Sequence, residues 1–321
     1  MRNKIISVFI FTMIFAILCL FIGYSSIVIE SVLFSLSLWK DILIPSLFPF
    51  FLLSEILIAY GFVSLIGELF KNIMLFIGLP SSSAFVLFGS MLSGFPSSSR
   101  YIRSLLDEKL INESDAEYLL MFTHFSNPMF VISTIGILLL NDKSIGFLIL
   151  LSHVLGNIIV ALIFKKRRCI FERVSLFKAF SLAHRKRIDS DTIMNVLSRA
   201  IISSFNTLIL IFGIVTTFTI ITNIFSELFV INPFIKCIIS GLLEMTGGIK
   251  NANTLDVEPI FKSVIMTFFI SFGGLSVHAQ VFSILSPYKL KYKKYLFSRI
   301  IHAFISSILV YLFIMVRQCI S

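Results

Sequence analysis

Long apolar segments, several of them near the length needed to cross a bilayer, make up most of this chain, and four of them are interrupted. About 20 consecutive apolar residues span a membrane. In lipid, an irregular backbone is tolerated only where protein or a water-filled cavity satisfies its free N–H and C=O groups. The interruptions, rich in Gly, Pro, Ser and other polar residues, are 92–100, 123–129, 243–249 and 271–280. Interrupted segments at corresponding places in two halves of a chain point to the binding site of a transporter.

Composition places the chain among helical membrane proteins. Of its 321 residues, 57% are hydrophobic and only 14% are charged, and the mean hydropathy is +0.98. A soluble domain carries about a quarter charged residues. The four cysteines are far apart and match no metal-binding spacing, so we predict no metal and no cofactor. Motifs of zinc proteases, serine hydrolases and phosphate-binding loops are missing from the sequence, so we expect no enzyme.

Basic residues are concentrated in two loops, which set the expected orientation. The net charge is +10, and the stretch 165–187 is rich in Lys and Arg. A nucleic-acid surface is one interpretation of this stretch, but a cytoplasmic loop that obeys the positive-inside rule is the better one. We therefore predict a lipid bilayer and no nucleic acid as partner. With loops 165–187 and 288–294 both cytoplasmic, the hairpin 83–110 enters from the cytoplasmic face and the hairpin 233–258 from the opposite face.

This arrangement predicts the fold class: an all-α polytopic membrane protein with inverted-topology repeats, each with a re-entrant helical hairpin and a broken transmembrane helix. The predicted organisation is an N-terminal transmembrane helix (1–30), a first repeat (31–164), a basic cytoplasmic loop (165–195) and a second repeat (196–321). A cleaved signal peptide is the alternative for the N-terminus. Residues 27–40 are expected to form an amphipathic helix near the interface, and the second hairpin is expected to break at Gly247 and Gly248.

The second arm of the first hairpin starts with residues that suit an anion. Pro96 favours the first helical turn, and free N–H groups together with the helix dipole attract negative charge there. The hydroxyls of Ser97, Ser98 and Ser99 and the guanidinium of Arg100 would complete a carboxylate pocket. The alternative is an ordinary helix end with Arg100 facing cytoplasmic water.

Polar residues also cluster in the two broken spans. His124, Ser126, Asn127 and Pro128 interrupt the span 116–140, which favours a break that faces a cavity over a simple proline kink. In the span 260–285, the glycines 273 and 274 precede three alternating polar residues that do not share one helical face, which favours a local break there too. These three residues are Ser276, His278 and Gln280.

Ionisable residues at membrane depth are candidates for coupling transport to an ion or a proton. His278 is interpreted first as a hydrogen-bond donor to a substrate, with proton coupling as the alternative. Glu55 and Glu244 lie in apolar surroundings, where carboxylates are functional candidates, and His124 joins them as a possible coupling group. His153 and Asn157, four residues apart, are interpreted as packing contacts.

Several motifs resemble the YlbJ-type sporulation integral membrane proteins, a family of the nucleoside-recognition gate superfamily. The resemblance covers about residues 40–316, and its most specific piece is the string Gly-Gly-Leu-Ser-Val-His-Ala-Gln at 273–280. The other pieces are Pro45-Ser-Leu-Phe-Pro49, Gly94-Phe-Pro96, the stretch 107–119, Phe125-Ser-Asn-Pro128 and Gly241-Leu-Leu-Glu-Met-Thr246. At the first hairpin tip and the first broken span, Ser98-Ser99-Arg100 and Ser126-Asn127-Pro128 depart from the family pattern.

The resemblance implies a function and a set of site residues. It implies movement of dipicolinic acid, a small dianion, across the outer forespore membrane, with the basic loop facing the mother-cell cytoplasm. A membrane scaffold for spore maturation and a nucleoside carrier are the alternatives. By motif, the implied substrate-binding residues are Pro96, Ser97, Ser98, Ser99, Arg100, Ser126, Asn127, Thr246, Gly247, Gly248, Ser276, His278 and Gln280.

Overall fold

The computed structural model describes residues 2–165, 192–229 and 232–320, together with Ser175, Phe177, Phe180 and Ser181. The predicted basic loop 165–187 therefore lies almost wholly outside the described residues. Within these ranges the chain is helical and has no β-strand. Four helices are long and apolar enough to cross a bilayer, or up to six if each of two sharply bent pairs is one span. The chain is a multi-pass, all-α membrane protein, as the sequence predicts.

The helices fall into two halves along the chain. The first half contains α1 (Arg2–Gly23), α2 (Ser25–Leu38), α3 (Ile44–Ala59), α4 (Phe62–Leu69), α5 (Lys71–Ile77), α6 (Ser83–Ser93), α7 (Ser97–Asp107), α8 (Glu113–Phe122) and α9 (Lys143–Ile163). The second half contains α10 (Ile193–Leu228), α11 (Pro233–Leu243), α12 (Met245–Thr254), α13 (Pro259–Phe272), α14 (Gly274–Ile284) and α15 (Tyr292–Ile320). Two π-helical segments, Trp39–Leu43 and Phe130–Leu139, complete the described secondary structure.

Helices α2 and α3, joined by the π-helical segment Trp39–Leu43, form one continuous helical run that packs antiparallel to α10. Near its start Ser31 accepts a hydrogen bond from Asn223 at 2.9 Å, and further along the indole of Trp39 donates to the carbonyl of Leu208 at 2.8 Å. The prediction of an interfacial helix at 27–40 is therefore wrong. The buried residues of α2 are small or apolar, recur at helical spacing and face α10, so this segment is part of the bundle. These residues are Ser31, Ser35 and Leu38.

Sharp bends occur on both sides of this run. Helix α1 meets the following helical run at an angle of 89°, and α4 leaves α3 at 88°. Gly61, which has a φ of 76°, makes the second turn. The helices that follow, α4 with 8 residues and α5 with 7, are each too short to cross a bilayer alone.

Contacts between loops show which segments share one end of the bundle. Lys294 forms an ion pair with Glu117 at 2.6 Å, and Tyr288 hydrogen bonds to Asp107. The loop 288–294 and the end of the first hairpin therefore lie together, as the shared cytoplasmic placement predicts. At the opposite end Arg317 pairs with Asp142 at 2.8 Å. We call the end that contains 288–294 the inner end.

The two hairpins occupy opposite halves of the bundle. The first, α6–α7, contacts the inner half of α10 through Arg100 and Ser203. The second, α11–α12, faces a cavity that Asn223 lines, near the outer end of α10. This opposed entry is the inverted-repeat arrangement.

The second hairpin breaks at Glu244, three residues before the predicted position. Gly247 and Gly248 belong to the first turn of α12. A Cβ at Gly248 would lie only 2.1 Å from the Cα of Gly241. The glycine at 248 is therefore required for the close approach of the two arms, whereas the chain reverses at the extended residue Glu244 (φ −139°, ψ 114°).

Candidate functional site

The four interruptions meet at one place inside the bundle. A Cβ at Gly94 would lie 2.5 Å from the amide nitrogen of Asn127, so the first hairpin tip touches the first broken span. A Cβ at Gly273 would lie 2.6 Å from the Nε2 atom of His124, and one at Gly274 would lie 3.0 Å from the amide nitrogen of Met245. These three contacts join each hairpin tip to a broken span and the two broken spans to each other.

The break in the second span is narrower than predicted. Gly273 has a φ of +90° and Gly274 a φ of +66°, a left-handed conformation that side chains disfavour. From Gly274 onward the chain is regular helix, so the polar residues of this stretch lie on α14. The alternation of Ser276, His278 and Gln280 distributes them over different faces of this helix and does not mark a break.

Backbone groups freed by the first broken span are satisfied by side chains from α9 and α15. Arg299, fully buried, donates to the carbonyl of Met121, and Asn157 donates to the carbonyl of His124 at 2.8 Å. The Nε2 atom of His153 accepts from the amide of Ser126 at 3.0 Å. His153 and Asn157 thus act as the packing contacts that the sequence predicts.

The same polar network supports the second broken span. His302 contacts the carbonyl oxygens of Ser271 at 3.1 Å and His153 at 2.9 Å, and its ring lies 3.0 Å from Arg299. His278 contacts the carbonyl oxygen of Phe272 at 2.9 Å and the hydroxyl of Tyr292 at 3.0 Å. Because an unsatisfied buried carbonyl costs about 1–3 kcal/mol, these contacts let irregular backbone persist at membrane depth.

The N-terminus of α12 already holds a carboxylate. Glu244 is 3% exposed, and its Oε2 atom accepts hydrogen bonds from the hydroxyl of Thr246 and from the amide of Gly247 at 2.8 Å. This capping interaction uses the helix dipole and the free amides that would otherwise attract an anionic ligand. The anion-binding potential of the second hairpin is therefore met by the chain itself.

Three cavities follow one another along α10. An inner cavity of about 600 Å³ is lined on α10 by residues 199–210, a central one of about 40 Å³ by Ile211 and Val215, and an outer one of about 230 Å³ by 219–223. At about 1.5 Å per residue, positions 199 to 223 cover roughly 36 Å, which is comparable to the hydrocarbon thickness of about 30 Å. The cavities thus lie at successive levels of the bundle, and the smallest of them lies in the middle.

The predicted site residues either line one of the three cavities or are packed around the breaks. Arg100 and Glu55 line the inner cavity, whereas Thr246, Gln280 and Glu244 line the central one, with Phe95 of the first hairpin beside them. Gly247 and Glu244 also line the outer cavity. The other predicted residues are held in the packing around the breaks; they are Pro96, Ser97, Ser98, Ser99, His124, Ser126, Asn127, Gly248, Ser276 and His278.

Contacts of the packed residues explain their positions. Ser99 donates to the carbonyl of Pro96 at 2.6 Å, and the Oδ1 atom of Asn127 accepts from the amide of Met129 at 2.8 Å. The ring of His124 stacks on Phe95 at 4.7 Å and hydrogen bonds to Tyr295 at 2.9 Å. Both ring nitrogens of His278 contact protein groups, in contrast to the substrate contact expected of it.

Two residues of this centre do not follow from the sequence patterns. Arg299 and His302 lie in α15, and both have 0% exposure. The sequence does contain a signal for Arg299, because a charged residue inside an apolar span is a functional or structural candidate in itself. However, Arg299 follows closely on the basic stretch 289–294 and therefore resembles a residue at the membrane interface.

Comparisons with known proteins agree with this architecture. The family model "Gate: Nucleoside recognition" matches residues 42–143, which contain the first hairpin and the first broken span. A search of solved structures gives no match. The sporulation integral membrane protein YlbJ of Bacillus subtilis (strain 168) is 30% identical over 306 residues, covering 86% of this chain and 75% of that protein. The chain belongs to the family of YlbJ-type sporulation integral membrane proteins.

Proposed function

We propose that this protein transports a small organic anion, dipicolinate, across the outer forespore membrane during sporulation. The observation that carries the proposal is the series of three cavities along α10, whose inner member is lined by Arg100, Arg103 and Arg199. Polar inner and outer cavities on either side of an apolar constriction are expected of a transporter with alternating access. The family relation supplies the sporulation context.

The charge of the inner cavity favours an anionic solute. Three arginines line it, against the two carboxylates of Glu55 and Asp107. Arginine binds carboxylates through two parallel hydrogen bonds, and a cavity of about 600 Å³ falls in the usual range for small-molecule sites. Dipicolinate, a planar ring with two carboxylates, suits both properties.

The central cavity would be closed to such a solute. Its volume of about 40 Å³ is close to that of a single water molecule. Transport therefore requires the apolar wall there to move, and this wall includes Phe95 at the first hairpin tip and Leu47 on α3. The structure would represent a state in which inner and outer cavities are separated.

A nucleoside carrier is the second candidate, favoured by the family match to a nucleoside-recognition model over residues 42–143. A nucleoside is uncharged and would gain nothing from three arginines. The two candidates therefore differ in a measurable way, namely in their dependence on cavity charge.

Uptake into proteoliposomes tests the proposal. Purified protein is reconstituted, and uptake of labelled dipicolinate is compared with that of labelled uridine and adenosine. We expect saturable dipicolinate uptake that Arg100→Ala lowers at least about tenfold, as loss of a charge-assisted hydrogen bond predicts. The matched control is Arg317→Ala, an exposed arginine at the outer end. Saturable uptake of nucleosides without dipicolinate uptake would refute the proposal.

A further inference from the structure

The inner cavity contains an ion pair that has the geometry of a substrate contact. Arg100 is 6% exposed, and its Nη2 atom hydrogen bonds to the Oε1 atom of Glu55 and, at 3.1 Å, to the hydroxyl of Ser203. The guanidinium lies over the ring of Phe51, 4.5 Å from its centroid. Glu55 is more accessible, with 25% of its side chain exposed to the cavity side.

The pair is incomplete on the arginine side. The Nη1 atom of Arg100 is buried and has no hydrogen-bond partner within the described part of the chain. A guanidinium can bind a carboxylate with two parallel N–H groups. Glu55 contacts only the Nη2 atom, so a guanidinium that turns toward the cavity would present the unpartnered Nη1 atom to a second, better-oriented carboxylate.

A second cavity offers Glu55 an alternative position. This cavity, of about 340 Å³, adjoins the first, and Glu55, Ser203 and Arg199 line both. The lining of this cavity also includes Ser104, Asp107 and Glu108, so a carboxylate that leaves Arg100 can turn into it without entering apolar surroundings. Glu55 then faces an open polar cavity while Arg100 pairs with the incoming carboxylate, so neither charge is buried without a partner, which would be strongly unfavourable.

We propose that Glu55 is a tethered competitor for the anion site on Arg100: a carboxylate of the substrate displaces it and takes both guanidinium nitrogens. The inference rests on the proposed function, since it assigns the substrate class as a carboxylate with a second anionic group that can face Arg103 or Arg199. Glu55 keeps Arg100 neutralised while the cavity is empty. Glu55 also discriminates against monocarboxylates that bind weakly, because their binding free energy is too small to displace it from Arg100.

Calorimetric titration of the purified full-length protein with dipicolinate tests the proposal. Glu55→Gln keeps the shape of the side chain and removes its charge, and we expect it to lower the Kd for dipicolinate at least about tenfold. The matched control is Glu113→Gln, which removes an exposed carboxylate at the same end of the bundle, one that contacts the amide of Lys289 and does not line the cavity. If general electrostatics were the cause, both variants would tighten binding equally, and this outcome overturns the proposal.

Two further outcomes are distinguishable. If wild type binds dipicolinate and Glu55→Gln binds it equally or more weakly, the pair is structural and the inference fails while the proposed function stands. If neither protein binds dipicolinate, both fail. Should Glu55→Gln not fold, Glu55→Asp replaces it: the shortened carboxylate withdraws from Arg100, and we expect a gain of about threefold in affinity. An unchanged or higher Kd in this variant overturns the proposal as well.

Discussion

The contact between the two arms of the second hairpin allows a sharp prediction about adjacent glycines. A Cβ at Gly248 would lie 2.1 Å from the Cα of Gly241 and 2.5 Å from its nitrogen, whereas ordinary contact begins at 3.4 Å. The obstacle is backbone, so Gly248→Ala must push the arms apart by about 1.3 Å, the difference between 3.4 and 2.1 Å. Overpacking of this kind costs about 1–3 kcal/mol.

The neighbouring glycine, Gly247, is a matched control for which we expect the opposite change in stability. A Cβ at Gly247 would meet only the Oε2 atom of Glu244, at 3.6 Å, which is ordinary contact. Because alanine is favoured over glycine in a helix by about 0.5–1 kcal/mol, Gly247→Ala should stabilise the protein by about this amount. The two variants should differ by about 1.5–4 kcal/mol in the free energy of unfolding.

Thermal unfolding in detergent measures this difference. At roughly 2 °C per kcal/mol for a chain of this size, Gly248→Ala should melt about 3–8 °C below Gly247→Ala. Equal melting temperatures for the two variants would show that the hairpin arms are not in backbone contact, and would refute the account of why the chain needs a glycine at 248.

Three other predictions follow from single residues. Arg299→Leu should lower the free energy of unfolding by at least about 2 kcal/mol, because the carbonyl of Met121 loses its donor, whereas the exposed Arg317→Leu should cost less than about 1 kcal/mol in the same unfolding assay. Burial alone would raise the pKa of Asp142, but hydrogen bonds from Arg317 and from backbone amides hold this pKa below its ordinary value of 3.8. The ionised Asp142 therefore contributes to the free energy of unfolding above pH 3.8, and this contribution is lost as the pH falls through the lower pKa of the folded state. In that pH range the melting temperature of wild type should fall more steeply than that of Asp142→Asn. Gln280→Leu, in the central cavity, should reduce dipicolinate uptake about tenfold or more with little change in melting temperature, and full uptake would exclude Gln280 from the path.

The sequence predicts the breaks well because they are local. Glycine, proline and polar residues within an apolar span have few explanations in lipid, so the positions of the first hairpin and of the two broken spans could be predicted without contacts. The opposed entry of the hairpins also follows from a simple rule, since basic loops fix the orientation of the spans between them.

Errors occur where a partner from a distant segment decides the structure. Residues 27–40 suggest an interfacial helix when considered alone, because Glu30, Trp39 and Lys40 lie among the apolar residues, but Ser31 hydrogen bonds to Asn223, almost 200 positions later. Likewise, Gly247 and Gly248 suggest a turn, yet the requirement for glycine at 248 comes from Gly241 on the other arm. Glu55 has a partner that no spacing in the sequence could indicate, namely Arg100.

The capping role of Glu244 changes where in the bundle an anion site is expected. The sequence predicts an anion site at the first hairpin, where a helix N-terminus, three serines and Arg100 come together, and the resemblance adds residues of the second hairpin to it. In the structure Glu244 caps the second N-terminus, and the other charged residues that line the outer cavity are Glu30 and Lys250, one of each sign. The inner cavity has an excess of basic groups, with three arginines against two carboxylates.

An inverted repeat with such unequal charge treats its two sides differently. Positive potential in a cleft raises the local concentration of anions, and the outer cavity lacks the excess of basic groups that would produce it. An anion would therefore be attracted more strongly to the inner cavity than to the outer one. The two hairpins enter the bundle in opposed directions, but the cavities beside them differ in charge because the capping carboxylate of Glu244 has no counterpart at the first hairpin, where Arg100 lies instead.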